Sequence, residues 1–419
     1  MSDPTIAAVH AVEILNGRGV PAVEVEVVTS QGLRARASGP SGTSISSHEV
    51  VELRDGGDRY GGKGVLRAVE NVEKLIGPCL RGMTVTDQRG VDAALVELDG
   101  TPQKSRLGGN ATTAVSLAVA KAGAMTLGLE VYRYLGGVRA ASIPVMCPNL
   151  MSGSPTAGNE LDFEDYLIVP FGFPTVAESL RAGVEVFHTL HDMLKARFGL
   201  IPQITALAPP LASSQEALDL IVQAIDRVGY AGRIGLGIDA AIGQLYDPAT
   251  GKYNLRQGSL TADELIEHYA DLTRRYPILF LEDGLEENDV AGFAAMRRRL
   301  PCLVVGDDLF ASSSVRLAQA AQAEAANAIL LKVNQIGTVS EALTTATAAH
   351  ALKYDVVASV RSGETEDAVQ VDVAVACHAK LMKIGAPLRG EMVPKYNRLM
   401  RIERELAPIA DFRGREFSL

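Results

Sequence analysis

The sequence predicts an α/β chain in which a small α+β cap, residues 1–137, is followed by a βα barrel, residues 138–419. Three observations predict it. The 419 residues are 47% apolar and 21% charged, enough to bury a large core. The pattern changes after Gly136-Gly137, from strand alternation and long helices to short apolar runs separated by amphipathic helical stretches. Each of several later apolar runs ends in a charged residue.

In the cap, Val23, Val25 and Val27 alternate with Glu24 and Glu26 after the turn Gly17-Arg18-Gly19-Val20-Pro21, the pattern of a hairpin with one wet face. The stretch Ser38-Gly39-Pro40-Ser41-Gly42-Thr43-Ser44-Ile45-Ser46-Ser47 reads as a long mobile loop. Helical patterns follow, notably from Ala111 to Ala122. In the second part, Thr261-Ala262-Asp263-Glu264 has the spacing of a capping box, and Ser213-Ser214-Gln215-Glu216 opens a helix stopped by Gly229. Strands alternating with helices imply a parallel sheet.

Composition excludes several function classes. Forty Lys and Arg against 50 Asp and Glu give a net charge of −10, which repels nucleic acid. No run approaches the ~18 apolar residues of a membrane span, and Met1-Ser2-Asp3-Pro4 lacks a signal-peptide core, so a cytoplasmic location is expected. Cys79, Cys147, Cys302 and Cys377 are far apart and form no C-x-x-C pair; they read as small buried apolar residues.

The chemistry lies in the strand ends. Apolar runs terminate at Asp239, at Glu282-Asp283, at Asp307-Asp308, at Lys332 and at Lys383. Asp307 follows Glu282 by 25 positions, Lys332 follows Asp307 by 25, and Lys383 follows by 51, one or two βα units each. A barrel gathers such ends on one face, where catalysis is sited. Any single acidic strand end could simply cap the next helix; five in succession at barrel spacing favour a site. Clustered carboxylates need a cation, and an all-oxygen donor set favours Mg²⁺. A lysine beside such a cluster can act as a base toward a proton next to a carboxylate.

At these residues the sequence resembles the enolase family, along nearly the whole chain. The resemblance is carried by Leu331-Lys332-Val333-Asn334-Gln335-Ile336-Gly337, Arg361-Ser362-Gly363-Glu364-Thr365-Glu366-Asp367 and Lys383-Ile384-Gly385-Ala386-Pro387, and by the stretches starting at Val51, Leu98 and Tyr396. It implies an enolase-type βα barrel with an α+β cap. It also implies Asp239, Glu282 and Asp307 as ligands of a tightly held Mg²⁺, with Ser44 joining a second Mg²⁺ when substrate binds. Lys332 matches the general base, Lys383 the lysine that helps bind the substrate carboxylate, and Arg361 with Ser362 the phosphate-binding pair. Glu24 and Arg401 match a subunit-interface ion pair, implying a homodimer.

Three positions depart from the family pattern. The glutamate that protonates departing hydroxide aligns with Ile204, the histidine of the second mobile loop with Thr156, and the histidine before Arg361 with Val360. The acidic pair Glu164 and Asp165 keeps its character, but glutamine is expected at the first position. Hydroxide is a poor leaving group without a positioned acid. The expectation is therefore an enzyme that removes an α-proton from a phosphorylated or phosphonylated small carboxylate and is not an efficient phosphopyruvate hydratase. The specific branch it suits is carboxyphosphonoenolpyruvate synthase of phosphinothricin (bialaphos) biosynthesis, which forms an enolpyruvate ester from a nucleotide-activated phosphonoformate. The alternatives are an inactive enolase-fold scaffold, and residual phosphopyruvate hydratase activity with His48 or Glu164 as proton donor.

Overall fold

The structure is a computed structural model that describes residues 3–42, 45–153, 157–203 and 206–418. Three expected site positions, Ser44, Thr156 and Ile204, lie outside the described residues.

The first strands form an antiparallel meander: β1 (Ile6–Leu15), β2 (Pro21–Thr29) and β3 (Arg34–Gly39). Val23, Val25 and Val27 are fully buried, because a strand sends alternate side chains to opposite faces. That face packs on the helix Gly109–Thr126, whose Ala111, Ala114, Ala118 and Ala122 are small enough to let the helix approach closely. On the wet face Glu26 pairs with Arg34 at 2.6 Å and Arg36 at 2.8 Å, cross-strand contacts that fix the register. The hairpin is thus extended by a third strand, and Ser38 and Gly39 of the expected loop belong to it.

The barrel strands are β4 (Val145–Ser152), β5 (Asp165–Val169), β6 (Gly235–Asp239), β7 (Ile278–Glu282), β8 (Leu303–Gly306), β9 (Ala328–Leu331), β10 (Asp355–Ser359) and β11 (Leu381–Ile384). They close in the order β7-β8-β9-β10-β11-β4-β5-β6. The sheet is not wholly parallel: β5 runs antiparallel to both β4 and β6. With β5 running down, two helices in succession, Val176–Phe198 and Ser214–Arg227, return the chain to start β6 parallel to β7. Apolar periodicity records burial and is silent on strand direction, which is why the sequence read as parallel.

The helix starts follow local chemistry. Thr261 completes a capping box with Glu264, and Ser213 Oγ accepts the Glu216 N–H at 3.2 Å. Cys147, Cys302 and Cys377 are buried as expected, whereas Cys79 is exposed. Among the described residues no single helix is long and apolar enough to cross a membrane.

The cap sits over the mouth of the barrel. Lys104 Nζ meets Glu341 at 3.0 Å, Lys121 Nζ meets Asp367 at 2.7 Å, and the Val50 N–H donates to the Gln335 carbonyl at 2.9 Å.

Candidate active site

Asp239 and Glu282 close β6 and β7, while Asp307 and Lys332 directly follow β8 and β9; Lys383 lies in the last turn of pleat of β11. All five are buried. Because β5 is inverted, its first residue, Asp165, arrives at the same face as the last residues of its neighbours. A cavity of about 90 Å³ there is lined by Glu164, Asp165, Asp239, Asp307, Lys332, Val360, Arg361, Ser362 and Lys383, with Arg18 of the cap. The structure therefore brings together the expected residues that it describes, except that Glu282 lies beneath the cavity wall.

The lysines are tied to the carboxylates. Lys383 Nζ bonds to Asp239, reaches Glu282 at 2.9 Å and lies 3.8 Å from Asp165. Burial alone would lower its pKa, but Asp239, Glu282 and Asp165 together carry it well above the ordinary value. Lys332 Nζ bonds to Asp307; burial again works against the charge, and Asp307 outweighs it. For Asp307 burial pushes upward, yet Lys332 holds the carboxyl below the usual range. Burial and then Asp239 push Glu282 well above its ordinary value.

Glu164 is pushed up to about 8, first by burial and then by Asp239 and Asp165. Asp165 is pushed up to about 6, burial being the largest cause. Its oxygens accept from Asn149 Nδ2 and from Ser152 Oγ at 3.1 Å. Glu164 accepts from Gln244 at 2.8 Å. His48, the other candidate donor, is turned to Asn288 at 3.1 Å and is not among the lining residues.

The donor set fits a hard divalent cation. It is all oxygen, and Glu282 Oε2 is buried without a hydrogen-bond partner among the described residues, a costly state that a ligated cation relieves. The tightest acidic group among the described residues is a different one, Asp283, Asp307 and Asp308. Asp283, however, already accepts the backbone N–H groups of Asp307 and Asp308, each at 2.9 Å, and so braces the β8 end.

Arg361, expected to bind phosphate, is braced by residues that sequence reasoning missed. Arg361 Nη1 donates to Glu49 of the cap at 2.7 Å, both side chains 5% exposed. A Cβ at Gly42 would collide with the Arg361 guanidinium, so the cap backbone lies hard against that side chain. The Arg361 N–H donates to Glu364 at 3.1 Å, and Glu364 faces the fully buried Lys395 at 3.2 Å. Gln335 Nε2 donates to Asp307 at 2.7 Å, and Gln335 Oε1 accepts from Ser312 Oγ at 2.5 Å. Gln335 and Glu364 were visible in the motifs that carry the resemblance; nothing local marks Lys395 or Glu49 as their partners.

Two family models match the chain: the enolase N-terminal domain over residues 6–135 and the enolase C-terminal TIM barrel domain over residues 140–419. The chain belongs to the enolase family. It is 46% identical over 415 residues to the enolase of Methanothrix thermoacetophila and 48% identical over 417 residues to that of Methanopyrus kandleri, covering 98% of each chain and of itself. To the enolase of Pyrococcus furiosus it is 47% identical over 420 residues, 98% of this chain and 97% of the other. In this chain Val360 lines the cavity beside Arg361.

Proposed function

We propose that this chain is an Mg²⁺-dependent enzyme that removes the α-proton of a phosphorylated small carboxylate, with Lys332 as base. The observation that supports it is the cavity on which Lys332, Lys383, four carboxylates and the Arg361–Ser362 pair converge. Asp239, Glu282 and Asp307, with Ser44 for a second ion, are the residues that would hold Mg²⁺, which would supply Lewis-acid stabilisation of negative charge on the substrate carboxylate. Lys332 is the residue that takes the proton. Lys383 balances the substrate carboxylate, and Arg361 with Ser362 holds the phosphate.

Two readings of the second half follow. The name shared by the relatives supports phosphopyruvate hydratase, with 2-phosphoglycerate as substrate. Glu164 is then the donor to the departing hydroxide, since it lines the cavity and its carboxyl holds a proton up to about pH 8. The other reading, formation of an enolpyruvate ester of a phosphonate from a nucleotide-activated phosphonoformate, draws on the apolar wall at Val360 and on Ile204 and Thr156 in the sequence. By the resemblance, these three positions trade polar catalytic groups for smaller or apolar ones.

Incubation with Mg²⁺ and 2-phosphoglycerate in D₂O, followed by NMR, separates the readings. Phosphoenolpyruvate formation at an enzymatic rate supports the hydratase; exchange at C2 without it supports the phosphonate enzyme. Absence of exchange overturns the proposal and leaves an inactive scaffold. We further propose a cytoplasmic homodimer with Glu24 of one subunit facing Arg401 of the other. Arg401 is exposed and Glu24 half-buried, and neither has an ion-pair partner among the described residues.

A further inference from the structure

Gln335 follows Lys332 by three residues, on the short helix Val333–Ile336, and is 1% exposed. It does not line the cavity, yet it touches both ends of the site. Its Nε2 donates to Asp307 Oδ1 at 2.7 Å and, at a longer 3.4 Å, to Glu49 Oε1 of the cap. Its backbone carbonyl accepts the N–H of Val50, the residue after Glu49, at 2.9 Å. One buried residue thus joins a barrel carboxylate to the cap segment that braces Arg361.

The amide is held in one orientation. Ser312 Oγ accepts the Lys332 N–H at 2.9 Å, and its own hydrogen goes to the nearer acceptor, Gln335 Oε1 at 2.5 Å, in place of the Leu330 carbonyl at 3.4 Å. With Oε1 engaged as an acceptor, the two N–H bonds of Nε2 face the carboxylates. Each carboxylate then has one oxygen held by Gln335 and the other presented elsewhere: Asp307 Oδ2 to Lys332, and Glu49 Oε2 to Arg361 Nη1 at 2.7 Å. Glu49 Oε1 also accepts the Ser46 N–H at 3.2 Å, which brings the end of the Gly/Ser stretch into the same network. Side chains linked in this way share their positions, so a change at Asp307 is felt at Glu49 and, through it, at the Arg361 guanidinium.

We propose that Gln335 is a positioning residue that couples the metal end of the site to the phosphate end, so that Mg²⁺ and a phosphate group strengthen each other's binding through Asp307, Gln335, Glu49 and Arg361. The inference rests on the reading of Asp307 as a metal ligand and of Arg361 as a phosphate-binding side chain. The ordering of these four side chains, once brought about by one ligand, is not required again by the other, and linkage makes the effect equal in both directions. A phosphorylated substrate is then held best when the metal site is already filled.

The test is calorimetric titration of the full-length protein with inorganic phosphate, with and without saturating Mg²⁺, and the reverse titration with Mg²⁺. In the wild-type protein Mg²⁺ should raise phosphate affinity about tenfold, and phosphate should raise Mg²⁺ affinity by the same factor. Gln335→Met keeps the length of the side chain and removes its hydrogen bonds; it should bring that factor to about twofold or less while each ligand still binds alone. A residue that only supported the fold would lower the separate affinities and leave the factor as it was. Ser312→Ala frees the amide from outside the cavity, should give an intermediate factor, and serves if Gln335→Met does not fold. Absence of mutual enhancement in the wild-type protein overturns the proposal. So does an undiminished factor in the variant that folds, the result expected if the cation and the anion act on each other directly. Arg361→Gln and Asp307→Asn are the separate controls: if the first binds phosphate, or the second Mg²⁺, as tightly as the wild type, the reading of those residues fails, whatever Gln335 does.

Discussion

Asp165 lies directly opposite Asp239 in the antiparallel pairing of β5 with β6, and Lys383 reaches both carboxylates. Two acids facing each other on adjacent strands are destabilising unless a cation stands between them. Lys383 supplies that charge in the protein itself, and Mg²⁺ would add to it. In a thermal melt, Mg²⁺ should therefore raise the midpoint of the wild-type protein. Asp239→Asn should abolish most of that rise; a variant that retains all of it removes Asp239 from the ligand set.

Lys332→Ala should reduce deuterium exchange at C2 of the substrate by a factor of ~10²–10⁴, the usual contribution of a positioned base. One-dimensional NMR in D₂O measures it. Exchange at the wild-type rate would assign the base elsewhere.

Glu164 gives a pH signature. Its folded-state pKa, about 8, is above the ordinary value of 4.5. A raised carboxyl stabilises the fold fully below the unfolded value and loses that contribution as pH rises through the folded one. In metal-free buffer the wild-type protein should lose stability between about pH 5 and pH 8 relative to Glu164→Gln. Urea titrations across that range provide the measurement, and parallel curves would rule the assignment out. If the chain is a hydratase, the same variant should also lose phosphoenolpyruvate formation while keeping exchange at C2.

The Arg361–Glu49 pair is buried, so Glu49→Gln removes a charged partner from a place that water reaches poorly. A loss of ~1.5–3 kcal/mol of stability is expected. Inorganic phosphate should restore part of it, because a ligand that binds only the folded state stabilises it. No phosphate-dependent recovery would mean that Arg361 does not bind the anion.

Lys395 is fully buried against Glu364, with hydrogen bonds to the Thr365 and Glu391 carbonyls, each at 2.7 Å. Lys395→Met strands the buried Glu364 charge and should cost ~3–5 kcal/mol in denaturant unfolding. Since Glu364 also accepts the Arg361 N–H, phosphate affinity should fall in the fraction that still folds.

Much of the site was legible in the sequence because barrel strands end where their apolar runs end. Asp239, Glu282, Asp307, Lys332 and Lys383 could be placed on one face from spacing alone. The capping residues Thr261 and Ser213 were equally legible, since their hydrogen bonds reach only three residues along the chain. Glu49 and Lys395 were not, because each meets its partner only through tertiary packing, Glu49 with Arg361 of the other domain and Lys395 with Glu364 across the barrel end.

By itself, then, the sequence determined the local terms of this protein: which runs are buried, where they stop, which residue types stand at the stops, and which family they resemble. The tertiary structure decided the direction of β5, the burial of Arg361 against Glu49 of the cap, and the placing of Arg18 on the cavity wall. Period and composition encode whether a side chain meets water. Which distant charge it meets is settled only when strands close into a barrel and the cap packs over its mouth.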